Sequence, residues 1–496
     1  MAGDAMQKDS QEGLAALEAR VRQDLEDLCI PAPNWVPETY RNGEKIFDVV
    51  IIGGGMCGQL LHHAMTSGGI RNIAIFDRNP DGLEGPWMTY ARMETLRSPK
   101  HLTGPAFGRA SLTFRAWFRA RFGEEEWGKL DKIPRPMWMD YLRWYREVLG
   151  IEVQNEVALD LVEPEDDLLR LRLSGRNAPA KSVLTRKLVM ATGRDGTGEP
   201  NIPDFVEGVP RSHWAHSADE IDFGALKDKR VVVVGVGASA VDNSAEALEA
   251  GAKEVRHLIR RDEMPTINKM MGIGSFGFTC GYARLSDEWR WRFMRYSFVT
   301  QTPPPRGSTL RVSRHENAYF HFGKAVTDVR LEDGELAIDI GDGSQARADY
   351  LILGTGFTVD PMSRTEFGDT AGDIKLWKHA YTPPPDEQHS DLANFPYLNA
   401  DFSFKEREPG TAPWLSNVFC FNYGASASLG KVSGDIPGIS EGAAWLTREI
   451  AAQLYVEDVE QHWQGMLDYE TPELLGDEWE ATEMPDAQTG KAAVNA

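Results

Sequence analysis

Phe47-Asp48-Val49-Val50-Ile51-Ile52-Gly53-Gly54-Gly55-Met56-Cys57-Gly58 decides the fold. A short apolar run rich in β-branched residues predicts a strand buried on both faces of a parallel sheet. It ends in a G-x-G-x-x-G turn, and a helical segment at 59–67 leaves that turn. A second strand, Asn72-Ile73-Ala74-Ile75-Phe76, then ends in Asp77, 24 residues after Gly53. Each part has a physical task. Gly53 makes the tight turn, Gly55 lets backbone approach a pyrophosphate, and Gly58 lets helix pack on strand. Met56 and Cys57 lie in the helix start that faces the phosphates, and Asp77 accepts hydrogen bonds from a ribose diol. The glycine pattern alone is weak, since Gly272-Ile273-Gly274-Ser275-Phe276-Gly277 also fits. That second match follows no buried strand and leads to no strand ending in an acid.

Three more runs share the buried-strand character: Lys187-Leu188-Val189-Met190-Ala191, Arg230-Val231-Val232-Val233-Val234 and Tyr350-Leu351-Ile352-Leu353. Strand, glycine turn and helix in alternation predict an α/β chain with parallel sheets. The strand at 230–234 runs into Gly235-Val236-Gly237-Ala238-Ser239-Ala240, a G-x-G-x-x-A turn. Ala240 in the last place still permits close helix–strand packing. The next strand, Val255-Arg256-His257-Leu258-Ile259, ends in Arg260 and Arg261 where an NAD site carries an acid. Two guanidiniums there suit a ribose 2′-phosphate, which predicts NADPH rather than NADH. The fold class is therefore α/β with two Rossmann-like dinucleotide-binding domains, one holding a flavin and the other admitting NADPH. The expected division is an N-terminal helical arm and linker at 1–46, an FAD domain at 47–200 plus 350–496, and an inserted NADPH domain at 201–349. That domain carries a helical insertion at 264–325.

The chain has 496 residues and a formal net charge of −22. Hydrophobic residues make up 42% and charged residues 26%, which excludes disorder of the whole chain. The acidic balance disfavours nucleic acid and anionic membrane as partners. No apolar run reaches membrane-spanning length, and the acid-rich N-terminus resembles no leader peptide, so a cytoplasmic location is expected. Leu14, Leu17, Val21, Leu25 and Leu28 form one helical face, expected to pack on its own domain; a dimerisation arm is the alternative. The aromatic stretch at 114–150 is expected to be core, and the acidic end, finishing in KAAVNA, a frayed tail.

The chain resembles the flavin-containing monooxygenases, single-chain enzymes with FAD and NADPH domains, over roughly residues 47–455. Asp77-Arg78 followed by Gly85-Pro86-Trp87 resembles their acid, basic residue and G-G-x-W segment. Leu96-Arg97-Ser98-Pro99-Lys100 resembles their strand leading to S-P-K. Ala191-Thr192-Gly193 and Gly354-Thr355-Gly356-Phe357 resemble their A-T-G crossings between domains. Val432-Ser433-Gly434-Asp435-Ile436-Pro437-Gly438 resembles the last FAD element of two-domain flavoproteins. The resemblance implies that Arg78, Pro86, Trp87, Thr192, Gly193, Gly356 and Asp435 serve cofactor binding. It also implies that Arg97 and Lys100 are candidates for the face near the flavin.

The family's chemistry implies a C4a-(hydro)peroxyflavin that passes one oxygen atom to a nitrogen or sulfur of a small substrate, with O2 as co-substrate. The Trp-Pro ending of Baeyer–Villiger enzymes is absent, since Ser217 is followed by Ala218-Asp219-Glu220, which favours heteroatom over carbonyl oxygenation. Rival readings fare worse. Gly438-Ile439-Ser440-Glu441-Gly442 matches a nucleophile elbow but lacks the strand that must precede it. His315, Glu316 and His321 have the wrong spacing for a helical zinc site, and no metal is expected. A disulfide reductase needs a cysteine pair, yet the four cysteines are never closer than 28 residues apart (Cys29 and Cys57). A Baeyer–Villiger-type monooxygenase, an NADPH-dependent flavin reductase or oxidase without such a pair, and a non-catalytic NADPH-binding protein remain as alternatives, and a homo-oligomer is open.

Overall fold

A computed structural model of the chain describes residues 2–484; the KAAVNA ending lies outside them. Two parallel sheets organise the fold. At the centre of the first, strand β1 (Phe47–Ile52) is buried because its valines and isoleucines meet packed layers on both faces. It pairs in parallel with β2 (Ile73–Asp77) on one side. On the other it pairs with Ser182–Met190, placing Val50 opposite Leu188 and Ile52 opposite Met190. Gln154–Asn155 extends the sheet beyond β2, and an antiparallel hairpin, Ala158–Glu165 with Leu168–Ser174, closes the far edge. The three-residue strand Val418–Cys420 also pairs in parallel with 188–190. A separate strand, β3 (Thr95–Pro99), pairs antiparallel with Lys132–Pro134. We call Ser182–Met190 strand β4.

The second sheet holds five parallel strands. In chain order they are β5 (Trp214–His216), β6 (Arg230–Val234), β7 (Glu254–Ile259), β8 (Ala318–Phe322) and β9 (Tyr350–Leu353), and in space they run β5-β9-β6-β7-β8. Two expectations are corrected here. Tyr350–Leu353 belongs to the second sheet, paired with Val231–Val234, so the return to the first domain begins at 354 rather than 350. Ala318–Phe322 is also a strand of that sheet, registered on Val255–Ile259, and the helix before it packs on the second domain's own helix. The helical excursion is therefore about 264–305 rather than 264–325. Its side chains Tyr282, Trp291 and Met294 share a core with Val359, Trp377 and Phe395 of a later segment.

The helices follow from the apolar faces read above. Helix α1 (Ala2–Asp27) lies on the first domain, with Leu17 and Val21 buried while Leu28 is 57% exposed. Its approach is close: a Cβ on Gly13 would stand 2.2 Å from the Ala120 carbonyl oxygen. Helix α2 (Met56–Ser67) follows the first glycine turn, and α3 (Phe114–Lys129) and α4 (Arg135–Val148) bring Trp117, Trp138, Tyr141 and Tyr145 together as core. In the second domain α5 (Ala238–Glu249) follows the second glycine turn. Helices α6 (Asp287–Thr300) and α7 (Arg306–Ser313) come next, and α8 (Ile439–Glu457) returns against α2.

At the far end of β1 and β4 the core holds charge. Arg186 is bidentate to Asp458, at 2.8 and 3.0 Å, and Lys187 reaches Glu457 at 2.5 Å. Both cations sit at the C-terminal end of α8, where the helix dipole favours them. Asp48 shares this site 3.9 Å from Arg186, and burial pushes its carboxyl up from an ordinary 3.8 to about 7, against the pull of Arg186 and Lys45 and with the push of Asp458. A proton held to higher pH in the folded state stabilises it fully below pH 3.8, and that stabilisation fades as pH rises through about 7. Asp48→Asn should therefore flatten the pH dependence of unfolding free energy between those limits, measured by urea titration. An unchanged slope would contradict the assignment.

Candidate functional site

The two glycine turns separate into residues that pack and residues that face open space. A Cβ on Gly53 (φ +107) would lie 2.4 Å from the Ala191 carbonyl oxygen, and one on Gly58 would lie 1.9 Å from that of Gly53. Gly54 is closed by Val153 at 2.5 Å. These three glycines are demanded by packing. Gly55 differs: only the Gly85 backbone comes within 4 Å, at 3.7 Å. Gly55 is the N-cap of α2, and no side chain caps the first amides of that helix. An open, uncapped helix N-terminus after a central strand fits a dinucleotide pyrophosphate. FAD would sit here, with Gly53, Gly55, Met56, Cys57 and Gly58 forming the turn.

Asp77 ends β2 and is buried. Its two oxygens accept the Gly54 and Asn79 amides, each at 2.8 Å. Burial raises its pKa, and the Asn79 and Gly54 amides pull it back. The carboxylate thus braces the turn while keeping lone pairs for a ribose diol. Pro86 and Trp87 follow Gly85 opposite Gly55, and Arg135 holds the Trp87 carbonyl. Arg78 pairs with Asp195 at 3.3 Å, just past the Ala191-Thr192-Gly193 crossing. Cys57 reaches the Ser433 carbonyl at 3.8 Å, which joins the last expected FAD element to the first turn. Asp435 is the N-cap of the turn Ile436–Gly438 leading into α8, and it pairs with Lys431 at 3.3 Å.

The second turn repeats the design. A Cβ on Gly235 (φ +121) would stand 2.4 Å from the Gly354 carbonyl oxygen, and Ala240 packs against Gly354. Gly237, the uncapped N-cap of α5, has only the Gln301 amide nitrogen nearby, at 3.8 Å. Ser239 is exposed in the first turn of α5. Arg260 is exposed and makes no hydrogen bond or ion pair among the described residues, so its guanidinium is available. Arg261 is held at its Nε edge by Gln301 Oε1 (2.9 Å) and the Val299 carbonyl (3.0 Å). Gly356 (φ +82) accepts from His216 Nε2 at 2.9 Å. His216 Nδ1 takes the Ala218 amide, which fixes the tautomer, and burial lowers its pKa. His216 is thus a buried tie on the crossing.

The two basic candidates part company. Arg97, on β3, donates to the Pro303 carbonyl of the second domain at 2.6 Å and so spans the seam. Lys100 instead donates to the Trp127 carbonyl (2.6 Å) and to that of Leu130, and lies 4.7 Å over the Trp127 ring. Its charge is committed to the C-terminal end of α3. Asn422 went unnoticed in the sequence. It donates to the Met190 carbonyl (3.2 Å) and to Thr192 Oγ1 (3.1 Å), while its Oδ1 accepts from Thr197 (2.5 Å) and the Gly424 amide (2.8 Å). The only local signal was the short run Val418-Phe419-Cys420 before it. Glu84, buried beside Arg146 and Asn155, was missed too.

Other candidates resolve as structure. Ser440 donates to the Gly104 carbonyl at 2.7 Å and follows a 3-10 turn, not a strand. Burial pushes the Cys57 and Cys420 thiols up to about 12, which leaves neither a thiolate for disulfide chemistry. Among the described residues no His, Cys, Asp and Glu group could hold a metal, and no helix is long and apolar enough to cross a membrane.

The contrast among the glycines yields a test. Gly55→Val should fold, by circular dichroism, yet purify with little bound flavin, read from its visible absorbance per protein. Full flavin occupancy would show that the open face of Gly55 is not a phosphate site.

Comparison with known proteins agrees with this geometry. The profile described as FAD-NAD(P)-binding matches residues 50–194, and that of L-lysine 6-monooxygenase/L-ornithine 5-monooxygenase matches 126–270. FAD-dependent urate hydroxylase of Xanthomonas campestris pv. campestris is 34% identical over 466 residues, 93% of this chain and 98% of that one. Among solved structures, the FAD-bound cadaverine monooxygenase of Erwinia amylovora matches with TM-score 0.61 at 17% identity, covering 88% of this chain and all of the other. The ornithine N-hydroxylase of Kutzneria sp. 744 matches with TM-score 0.59 at 18% identity, covering 83% and 100%. At that identity the structures establish the fold. The near end-to-end relation to the urate enzyme establishes more: the chain belongs to the flavin-dependent monooxygenases working with FAD and NADPH, in the family of that urate hydroxylase.

Proposed function

We propose that the chain hydroxylates urate or a closely related anionic purine, consuming NADPH and O2 and releasing NADP+ and water. The observation that carries this reading is the alignment along 98% of a urate hydroxylase. When bound, FAD would take hydride from NADPH and activate O2 for transfer of one oxygen atom. The chain's own residues supply binding, orientation and charge.

The charge at the seam supports an anion. Arg92 donates to the Thr89 carbonyl (2.6 Å) and, across the seam, to that of Asp219 (3.2 Å). Arg97 meets the Pro303 carbonyl, and Arg135 meets the Trp87 and Met93 carbonyls. Among the described residues none of the three lies within ion-pair distance of a carboxylate, although Glu246 acts on Arg92 and Arg135 and Asp242 on Arg97 from further away, so their remaining donors are free for an anionic substrate. Burial lowers the pKa of Arg92 and of Arg135, yet a guanidinium stays charged. A second reading, N-hydroxylation of a primary amine, is favoured by the lysine/ornithine monooxygenase profile over 126–270. A panel separates them. With purified protein and NADPH, urate should accelerate NADPH oxidation and disappear mole for mole. If ornithine, lysine or cadaverine gives a hydroxylamine while urate is untouched, the amine reading replaces it; a thioether belongs in the same panel.

Arg260 and Arg261 are proposed to read the 2′-phosphate of NADPH. A charge-assisted contact contributes about 1.5–3 kcal/mol. Replacing both by Ala should raise the apparent KM for NADPH by about tenfold or more and leave that for NADH nearly unchanged. Equal losses with both cofactors would assign the pair to the fold instead.

A further inference from the structure

The backbone outlier Gln301 stands where the two phosphate-facing features of the second domain meet. It ends α6 at φ +55, ψ +141, a left-handed φ that a non-glycine residue adopts at a cost. Neither glycine nor asparagine, the residues that take positive φ most readily, occupies the position. Its side chain accounts for the choice. Oε1 accepts from Arg261 Nε at 2.9 Å. Arginine has donors only, so this bond fixes which end of the amide faces it. The Nε2 end is left directed at Gly237, 3.8 Å from where a Cβ there would be, over the uncapped N-terminus of α5. Among the described residues nothing accepts from that Nε2.

From this arrangement we propose that Gln301 is a positioning and specificity residue of the nicotinamide-cofactor site. Its Oε1 holds the Arg261 guanidinium in place for a 2′-phosphate, and its Nε2 donates to the pyrophosphate over Gly237. The Val299 carbonyl, on the last turn of α6, grips the same edge of Arg261 at 3.0 Å, so the outer edge of the guanidinium is the one left for an anion. The excursion at 264–305 thereby joins the cofactor site through its C-terminal end. The inference rests on the reading of Arg260 and Arg261 as the 2′-phosphate contacts.

The test is calorimetric titration of the FAD-loaded protein with NADP+ and with NAD+, without turnover, for Gln301→Ala, Gln301→Gly and Arg261→Ala. Gln301→Ala should weaken NADP+ about tenfold or more and NAD+ less, because only NADP+ uses both ends of the amide. Gln301→Gly relieves the backbone, so its melting temperature should hold or rise while NADP+ weakens as in the alanine variant. A merely structural role could not give that opposition. If Arg261→Ala weakens NADP+ while Gln301→Ala binds it as wild type does, the inference about Gln301 is overturned and the cofactor site stands. If Arg261→Ala itself leaves NADP+ binding unchanged, the site assignment fails first. Equal weakening of NADP+ and NAD+ in Gln301→Ala, together with a lower melting temperature, would also overturn the proposal.

Discussion

A close approach of backbone to backbone, made once in each domain, sets the positions of everything else. In the first domain the turn after β1 leans on the Ala191 carbonyl through Gly53; in the second the turn after β6 leans on the Gly354 carbonyl through Gly235. A methyl group at either glycine would collide with backbone that cannot yield. The strand beside each glycine turn must therefore be the one that leads into a domain crossing: β4 beside β1, and β9 beside β6. Both crossings, 191–193 and 354–356, are thus pinned against the phosphate turns. Hydride transfer between two bound cofactors requires that kind of juxtaposition.

The seam between the domains is tied by hydrogen bonds as well as by the apolar core that Tyr282, Trp291 and Met294 share with Val359, Trp377 and Phe395. Arg97 reaches Pro303, Arg92 reaches Asp219, and Arg311 of α7 reaches the Arg92 carbonyl at 3.2 Å while bound to Glu246 and Glu249 of α5. His216 and Asn422 hold the two crossings themselves. Guanidiniums bonded to carbonyl oxygens retain their charge and keep further donors, so the ties that orient the domains also leave N–H groups between them.

Much of this was legible in the sequence where local physics forces a choice. Asp77 and the Gly53–Gly58 turn were readable because strand, turn, helix and acid occur in one fixed order. The tandem Arg260-Arg261 at the end of β7 stands out because charge occupies the place of the usual acid, and its role toward a 2′-phosphate is a proposal. What failed was pairing and reach. Four apolar residues at 350–353 specify a buried strand but not which sheet receives it. The strand at 318–322, where Phe320 stacks on His257, is a short, half-exposed aromatic run without the β-branched residues that mark the buried strands. Lys100 looked like a charge beside the flavin, yet carbonyl groups at the end of α3 claim it. Gln301 and Asn422 act through contacts with residues 40 and 230 positions away, which no local pattern encodes. The substrate was least legible, because the flavin carries the bond-making and the side chains only select what approaches it.

Under the proposed function, one atom of O2 ends in the organic product under control of this chain. The most direct test is turnover of the FAD-loaded protein with NADPH and urate under 18O2, followed by mass spectrometry of the purine product. The expected result is one 18O atom per product molecule, with NADPH consumed in equal amount. Label found only in hydrogen peroxide, with the purine unlabelled, would contradict it and leave an NADPH oxidase.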